Sequence, residues 1–167
     1  MVHSYSLGSV NVELPPAERF AQFLRGHGKR LTPQRQIIVE QVFSHHDHFD
    51  ADELMEHLRD WISQRKVSRP TVYRTLSELV EAGMLRCMIL TDRSIYEHEY
   101  GYPRHDHLCC QICNRLMEFH SDELDRICAA VAEEYQFQIT GHRIFVLGIC
   151  DPCRQRKRKG ERTKDEG

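Results

Sequence analysis

Ser68-Arg69-Pro70-Thr71-Val72-Tyr73-Arg74-Thr75-Leu76-Ser77-Glu78-Leu79-Val80 is the stretch on which the fold turns. Ser68 is placed to cap a helix, and Val72, Leu76, Leu79 and Val80 recur at the spacing of one buried face. Gly83 supplies the permissive backbone that ends it. The outward positions are Arg69, Thr71, Tyr73, Arg74 and Ser77: hydrogen-bonding groups, two guanidinium forks and one aromatic ring near the N-terminal half. A groove-reading helix needs such a stripe, but an ordinary solvated helix also displays one, so the neighbouring segments have to decide.

Upstream, three further helices are expected. The first runs from Ala17 through Phe20, Phe23 and Leu24 and stops at Gly26 and Gly28. The second opens at Thr32-Pro33, carries Ile37, Ile38 and Val42 on one face, and ends near His45-His46-Asp47-His48. The third begins at an Asp50/Glu53 capping box and carries Leu54, Leu58, Trp61 and Ile62 as a buried stripe. Downstream, residues 85–90 and 95–98 flank the turn Thr91-Asp92-Arg93-Ser94 and read as a two-stranded hairpin. Helices followed by such a hairpin make a winged helix-turn-helix domain over residues 15–99, preceded by a flexible arm, 1–14, that Pro15 and Pro16 close. Past Tyr100-Gly101-Tyr102-Pro103 the pattern changes to strands at 105–109, 116–120 and 138–149, with Leu124, Ile127, Cys128 and Val131 at helical spacing between the last two. This is a small α/β unit of residues 100–153, and the fold class is α+β. Both faces of the last strand are apolar, more than a three-stranded sheet can cover, so a partner subunit is expected on it. Residues 154–167 are charged, with nothing to bury, and are expected to be disordered.

Composition narrows the function. A chain of 167 residues is too short for a large multidomain enzyme. No apolar run approaches the roughly 18 residues that span a bilayer, and Met1-Val2-His3-Ser4-Tyr5 lacks the basic-then-apolar order of a secretory signal. A cytoplasmic protein with no membrane partner is expected. Lys and Arg number 23 against 25 Asp and Glu, so any contact with a polyanion must be made by a local basic patch. The 11 His and 7 Cys are the unusual figures: an odd cysteine count in reducing cytosol points to metal rather than to disulfides.

Cys110-x2-Cys113 and Cys150-x2-Cys153 form two knuckles that together complete a tetrahedral four-sulfur site, suited to a structural Zn2+ because no coordination position is left open. Two CxxC redox pairs would want a thioredoxin-like βαβ context, which is absent; buried free thiols are the other reading. Cys87, Cys109 and Cys128 are spare. A second donor group contains no thiolate. His105 and His107 stand two apart on an expected strand and share a face, with Asp106 on the other, and Glu97 and Glu118 are placed to converge on the same face. Nitrogen and carboxylate donors suit Fe(II), Mn(II) or Zn(II).

Leu31-Thr32-Pro33-Gln34-Arg35, the Arg69 to Leu76 run, His105-Asp106-His107-Leu108-Cys109-Cys110-Gln111-Ile112-Cys113 and Cys150-Asp151-Pro152-Cys153 resemble, in order, the motifs of the ferric uptake regulator family of metal-dependent repressors. The match runs from about Ala17 to Cys153. It implies an N-terminal DNA-binding domain, a C-terminal dimerisation domain and a regulatory metal at the hinge, carried over residue by residue onto His48, Glu97, His105, His107 and Glu118. It also implies an additional metal site at Asp106, Asp125 and His142, where Arg104 replaces a usual donor and cannot ligate a cation. For DNA it places Tyr73 and Arg74 at the major groove and Arg30 near the minor groove of an A·T-rich inverted repeat read by a homodimer. Glu97 and Glu118 resemble the iron-sensing pattern, which makes Fe2+ repression of iron-uptake genes the leading expectation, with zinc-uptake and peroxide-stress regulators as competitors. A zinc hydrolase or deaminase fails on spacing: His98-Glu99 is not His-x-Glu, and Pro152-Cys153 lacks a following cysteine.

Overall fold

The computed structural model describes residues 12–44, 48–64, 66–90 and 93–162. The expected arm up to residue 11, the His45-His46-Asp47 cluster, the Thr91-Asp92 tip of the hairpin and the tail beyond residue 162 lie outside the described residues. The chain forms two compact units that divide between Pro103 and Arg104.

In the first unit, α1 (Pro16–Gly26) starts on a proline and buries Phe20 and Leu24. Gly28, at φ +68°, reverses the chain, and the Lys29 amide donates to the Leu24 carbonyl at 2.8 Å. Helix α2 (Pro33–Val42) is capped by Thr32, whose hydroxyl accepts from the Arg35 amide. The Asp50/Glu53 capping box forms in full and opens α3 (Ala51–His57). The third helix is not continuous, however. Leu58 leaves helical geometry at φ −88°, ψ 5°, and α4 (Arg59–Ser63) follows. Leu58 is fully buried, whereas Trp61, expected on the same stripe, is 38% exposed with Lys66 Nζ over its ring. The break ends the stripe that an uninterrupted helix would have carried inward.

Helix α5 (Arg69–Glu81) is capped by Ser68 and ended by Gly83 at φ +64°, and it buries Val72, Leu76 and Leu79 against α1, α2 and α3. The hairpin is β2 (Leu85–Leu90) and β3 (Arg93–His98). A strand with no sequence signal, β1 (Phe49–Asp50), joins it in the order β1-β3-β2, pairing Phe49 with Tyr96. This makes the wing three-stranded. Leu14, at the end of the expected flexible arm, is held in place: its amide and carbonyl both bond the Tyr100 hydroxyl.

In the second unit, β4 (Asp106–Cys110) lies between an antiparallel β5 (Leu116–Phe119) and a parallel β6 (Phe145–Gly148). Helix α6 (Asp122–Glu134), capped by Ser121 and with Asp122, Glu123 and Asp125 in its first turn, makes the crossover that a parallel pair requires. The strand expected over 138–149 is shorter than its apolar alternation implied. Ahead of β6 the chain is held largely by side chains: Arg104 donates to the Thr140 carbonyl and Asp106 accepts from the Ile144 amide, while the Ile144 carbonyl accepts the first backbone bond from β4, at His107. Val146, Leu147 and Ile149 are 43%, 60% and 48% exposed, as are parts of Ile127 and Val131 on α6. The charged tail is also corrected. Helix α7 (Asp151–Arg162) begins inside the second cysteine knuckle and continues through the basic run. Among the described residues no helix is long and apolar enough to cross a membrane.

Candidate metal centres and nucleic-acid interface

Cys110 closes β4, Cys113 follows on a turn completed by Asn114 at φ +56°, Cys150 follows β6, and Cys153 lies in the first turn of α7. The parallel pairing of Cys110 with Gly148 is what brings the two knuckles together. The four sulfurs lie within 4.8 Å of one another, none is in a disulfide, and Cys113 Sγ stands 3.7 Å from Cys150 Sγ. A tetrahedron with Zn–S bonds of ~2.3 Å has edges of about 3.8 Å, so the sulfur cage fits a zinc ion. Protonation agrees. Backbone amides of Cys150, Cys113 and Ile112 hold the Cys110 thiol well below its ordinary value, while burial and the neighbouring thiols push Cys153 up. Four such groups can ionise together only around a cation. Of the spare cysteines, Cys109 is buried on β4 with its thiol pushed up by burial, Cys128 is half-buried and Cys87 is exposed.

Strand alternation separates His107 from Asp106, and the register sets Glu118 directly across from His107. His105 Nε2 is 3.7 Å from Glu118 Oε1, the two imidazole rings are 4.9 Å apart, and the donors of His105, His107 and Glu118 fall within 4.8 Å of one another. His107 stacks on Phe145, which fixes its ring. In the first unit, His48 immediately precedes β1, and the pairing of β1 with β3 sets it beside Glu97, Nε2 to Oε2 3.4 Å. Arg86, a residue the sequence did not single out, lies 3.8 Å from Glu97 and grips Glu99 with two bonds.

The additional trio is arranged differently. His142 Nε2 stands between Asp106 Oδ2 at 3.5 Å and Asp125 Oδ1 at 3.3 Å, but Asp106 Oδ1 already accepts from the Ile144 amide. Among the described residues these three do not form a group within 4.8 Å; Asp125 instead groups with the exposed His120 and Asp122. Arg104 occupies the neighbourhood. Its Nη2 donates to the Thr140 carbonyl at 2.6 Å, and a methyl group at Gly141 would come within 2.9 Å of its Nη1.

On α5, Arg69, Tyr73, Arg74 and Ser77 are exposed. Thr71 is half-buried, and its hydroxyl is engaged by Ser68 and Gln34, which ties α5 to α2 rather than presenting a donor outward. Arg30 is exposed just ahead of α2, with its carbonyl held by Arg35 Nη1 at 2.9 Å. Arg35 Nη2 and Lys29 Nζ both reach Glu78 Oε1 at 2.9 Å. Glu78 lies on the inner face of α5, and its Oε2 is buried with no hydrogen-bond partner among the described residues.

A winged helix-turn-helix with an exposed basic and aromatic stripe, joined to a unit that gathers four thiolates and a separate His/Glu group, defines a metal-dependent DNA-binding regulator. The profile of the ferric uptake regulator family matches residues 26–147, and the chain belongs to that family of transcriptional regulators, not to an enzyme family. It is 30% identical over 136 residues to a ferric uptake regulation protein of Campylobacter upsaliensis, covering 81% of this chain and 87% of that one. It is equally 30% identical, over 152 residues, to the peroxide-responsive repressor PerR of Staphylococcus epidermidis, covering 91% and 97%. The crystal structure of the Vibrio cholerae ferric uptake regulator superposes with a TM-score of 0.64 at 30% identity, covering 77% of this chain and 98% of that one.

Proposed function

We propose that this protein is a homodimeric, Fe2+-activated repressor of iron-uptake genes that reads an A·T-rich inverted repeat. The observation that carries the reading is the division of donors between the units. His48 and Glu97 are paired in the DNA-binding unit, and His105, His107 and Glu118 are grouped in the other. One ion taking ligands from both would favour a single arrangement of the two over all others. By linkage, DNA that selects the same arrangement tightens metal binding by an equal free energy, typically ~1–3 kcal/mol. The ion supplies charge and fixed directions of coordination; the chain supplies the two half-sites and the recognition helix.

Three imidazoles with two carboxylates, and no thiolate, favour Fe2+ or Mn2+ over a thiolate-rich zinc or copper sensor. Glutamate at both 97 and 118 favours iron sensing over peroxide sensing, where the resemblance implies aspartates. The four cysteines hold a structural Zn2+, whose closed shell keeps it apart from sensing. In the DNA complex Tyr73 packs on thymine methyls, Arg74 reads guanine edges or phosphates, Arg69 steadies the helix on the backbone, and Arg30 enters the narrow minor groove. The exposed apolar strip of β6 and α6 is the dimer surface, and two-fold symmetry dictates the inverted repeat.

Anaerobic titration of operator binding with Fe(II), Mn(II) and Zn(II), run for the wild type and for His48→Ala, tests the reading. Metal should tighten wild-type binding about tenfold or more and leave His48→Ala unstimulated. Equal stimulation of both proteins would rule out an ion shared between the units.

A further inference from the structure

Helix α7 is a helix without an evident reason to be one. It is 12 residues long, carries Arg154, Arg156, Lys157, Arg158, Lys159 and Arg162, and buries Cys153 in its first turn. An isolated helix of this length is marginal in water even with favourable composition, and neighbouring like charges weaken it further. The support must therefore come from its N-terminal end. There the Cys153 and Arg154 amides both donate to the Cys150 carbonyl at 3.0 Å, and Asp151 accepts from Arg154 and Gln155. Arg156, one turn on, folds back along the axis: its Nε bonds the Pro152 carbonyl and its Nη2 lies 3.3 Å from Cys153 Sγ.

Four thiolates around a divalent ion make a net dianion in a mostly buried cage. The positive end of a helix and a guanidinium are the groups that stabilise such a charge. Both are supplied by α7, on one ligand, Cys153. The Cys150 amide, from the same knuckle, donates to Cys110 Sγ of the opposite knuckle at 3.3 Å and does the same for that ligand.

We propose that Arg156 is the outer-sphere partner of the four-cysteine centre, and that through it the occupancy of that centre decides whether residues 151–162 are helical. The proposal rests on the reading that the cysteines hold zinc. With zinc bound, Cys153 is a thiolate that attracts the guanidinium and the helix N-terminus. With zinc removed the dianion is gone, the basic run has no counter-charge at its root, and the segment unwinds.

The test uses the full-length protein, zinc-loaded, with hydrogen exchange followed by mass spectrometry and zinc release followed with a colorimetric chelator. Arg156→Ala should release zinc roughly tenfold faster or more, in line with the loss of other outer-shell partners. It should also speed exchange in 151–162 while β4 and β5 keep wild-type protection. Arg156→Lys should fall between the two. Arg154→Ala, which touches Asp151 and no sulfur, should release zinc as the wild type does. Chelation of wild-type zinc should bring exchange in 151–162 to the unprotected rate. Wild-type zinc release from Arg156→Ala, or unchanged protection of 151–162 after chelation, overturns the proposal. Loss of the zinc reading itself would look different: the purified wild type and Cys113→Ser would carry the same zinc content.

Discussion

Arg35 donates to Glu78 Oε1 at 2.9 Å from a position where the glutamate side chain is only 4% exposed, and the same arginine holds the Arg30 carbonyl. One buried carboxylate therefore fixes the start of α2 against the middle of α5, and with it the spacing between Arg30 and the exposed stripe of α5.

Removing that carboxylate strands Arg35, which is 13% exposed. Glu78→Ala is expected to lower unfolding stability by about 3 kcal/mol, the cost of breaking a buried pair. The Lys29 side chain is 45% exposed, so Lys29→Ala should cost less than about 1 kcal/mol. Urea denaturation of the two variants side by side measures the difference; equal losses would mean that Arg35 is not the partner that matters.

Arg74→Ala should weaken operator binding about tenfold or more, the worth of a good bidentate base or phosphate contact, with zinc content and dimer mass unchanged. Thr71→Ala should act through stability, because its hydroxyl is spent on Ser68 and Gln34. A gel-shift titration paired with thermal melting separates the two effects. Operator affinity lost in Thr71→Ala at unchanged stability would return that residue to the DNA face.

Arg104, at a position where the resemblance implies a metal donor, holds its guanidinium against Thr140 and Gly141, just ahead of His142 in the chain. The protein is therefore expected to hold one ion at the cysteines and one at the regulatory group, with no third at Asp106, Asp125 and His142. Arg104→His should raise the metal content by one equivalent in elemental analysis after dialysis against zinc. A third equivalent already present in the wild type, and lost in His142→Ala, would show that the three donors suffice.

Leu147 is 60% exposed on β6, an edge strand of the sheet. Leu147→Asp puts a charge on the surface proposed to meet a second copy, and should shift the dimer to monomer in light scattering at micromolar concentration while the zinc content holds. A dimer that survives the change uses another surface.

What was legible in the sequence followed from local chemistry. A capping serine, an apolar stripe and Gly83 fixed the extent of α5, and two CxxC knuckles announced their sulfur cage because spacing alone constrains such a site. Pairings across long separations were not legible. Strand β1 has two residues and no period, yet its pairing with β3 is what sets His48 beside Glu97. Glu78 is not visible as a partner because a charged residue on a helix reads as solvated unless its partners are known, and Lys29 and Arg35 lie more than 40 residues away in sequence. Periodicity puts Trp61 in the core because it is blind to a helix break at Leu58. Composition alone reads α7 as a loose tail, because it describes what a segment can bury and not what it is anchored to.

Strand β4 serves two masters with its two sides. Stepping along it alternates Asp106, which holds the chain ahead of β6, with His107, which belongs to the His/Glu group, before the strand ends in a cysteine knuckle. Deleting or inserting one residue between His105 and Cys110 would exchange those sides and misdirect both centres at once.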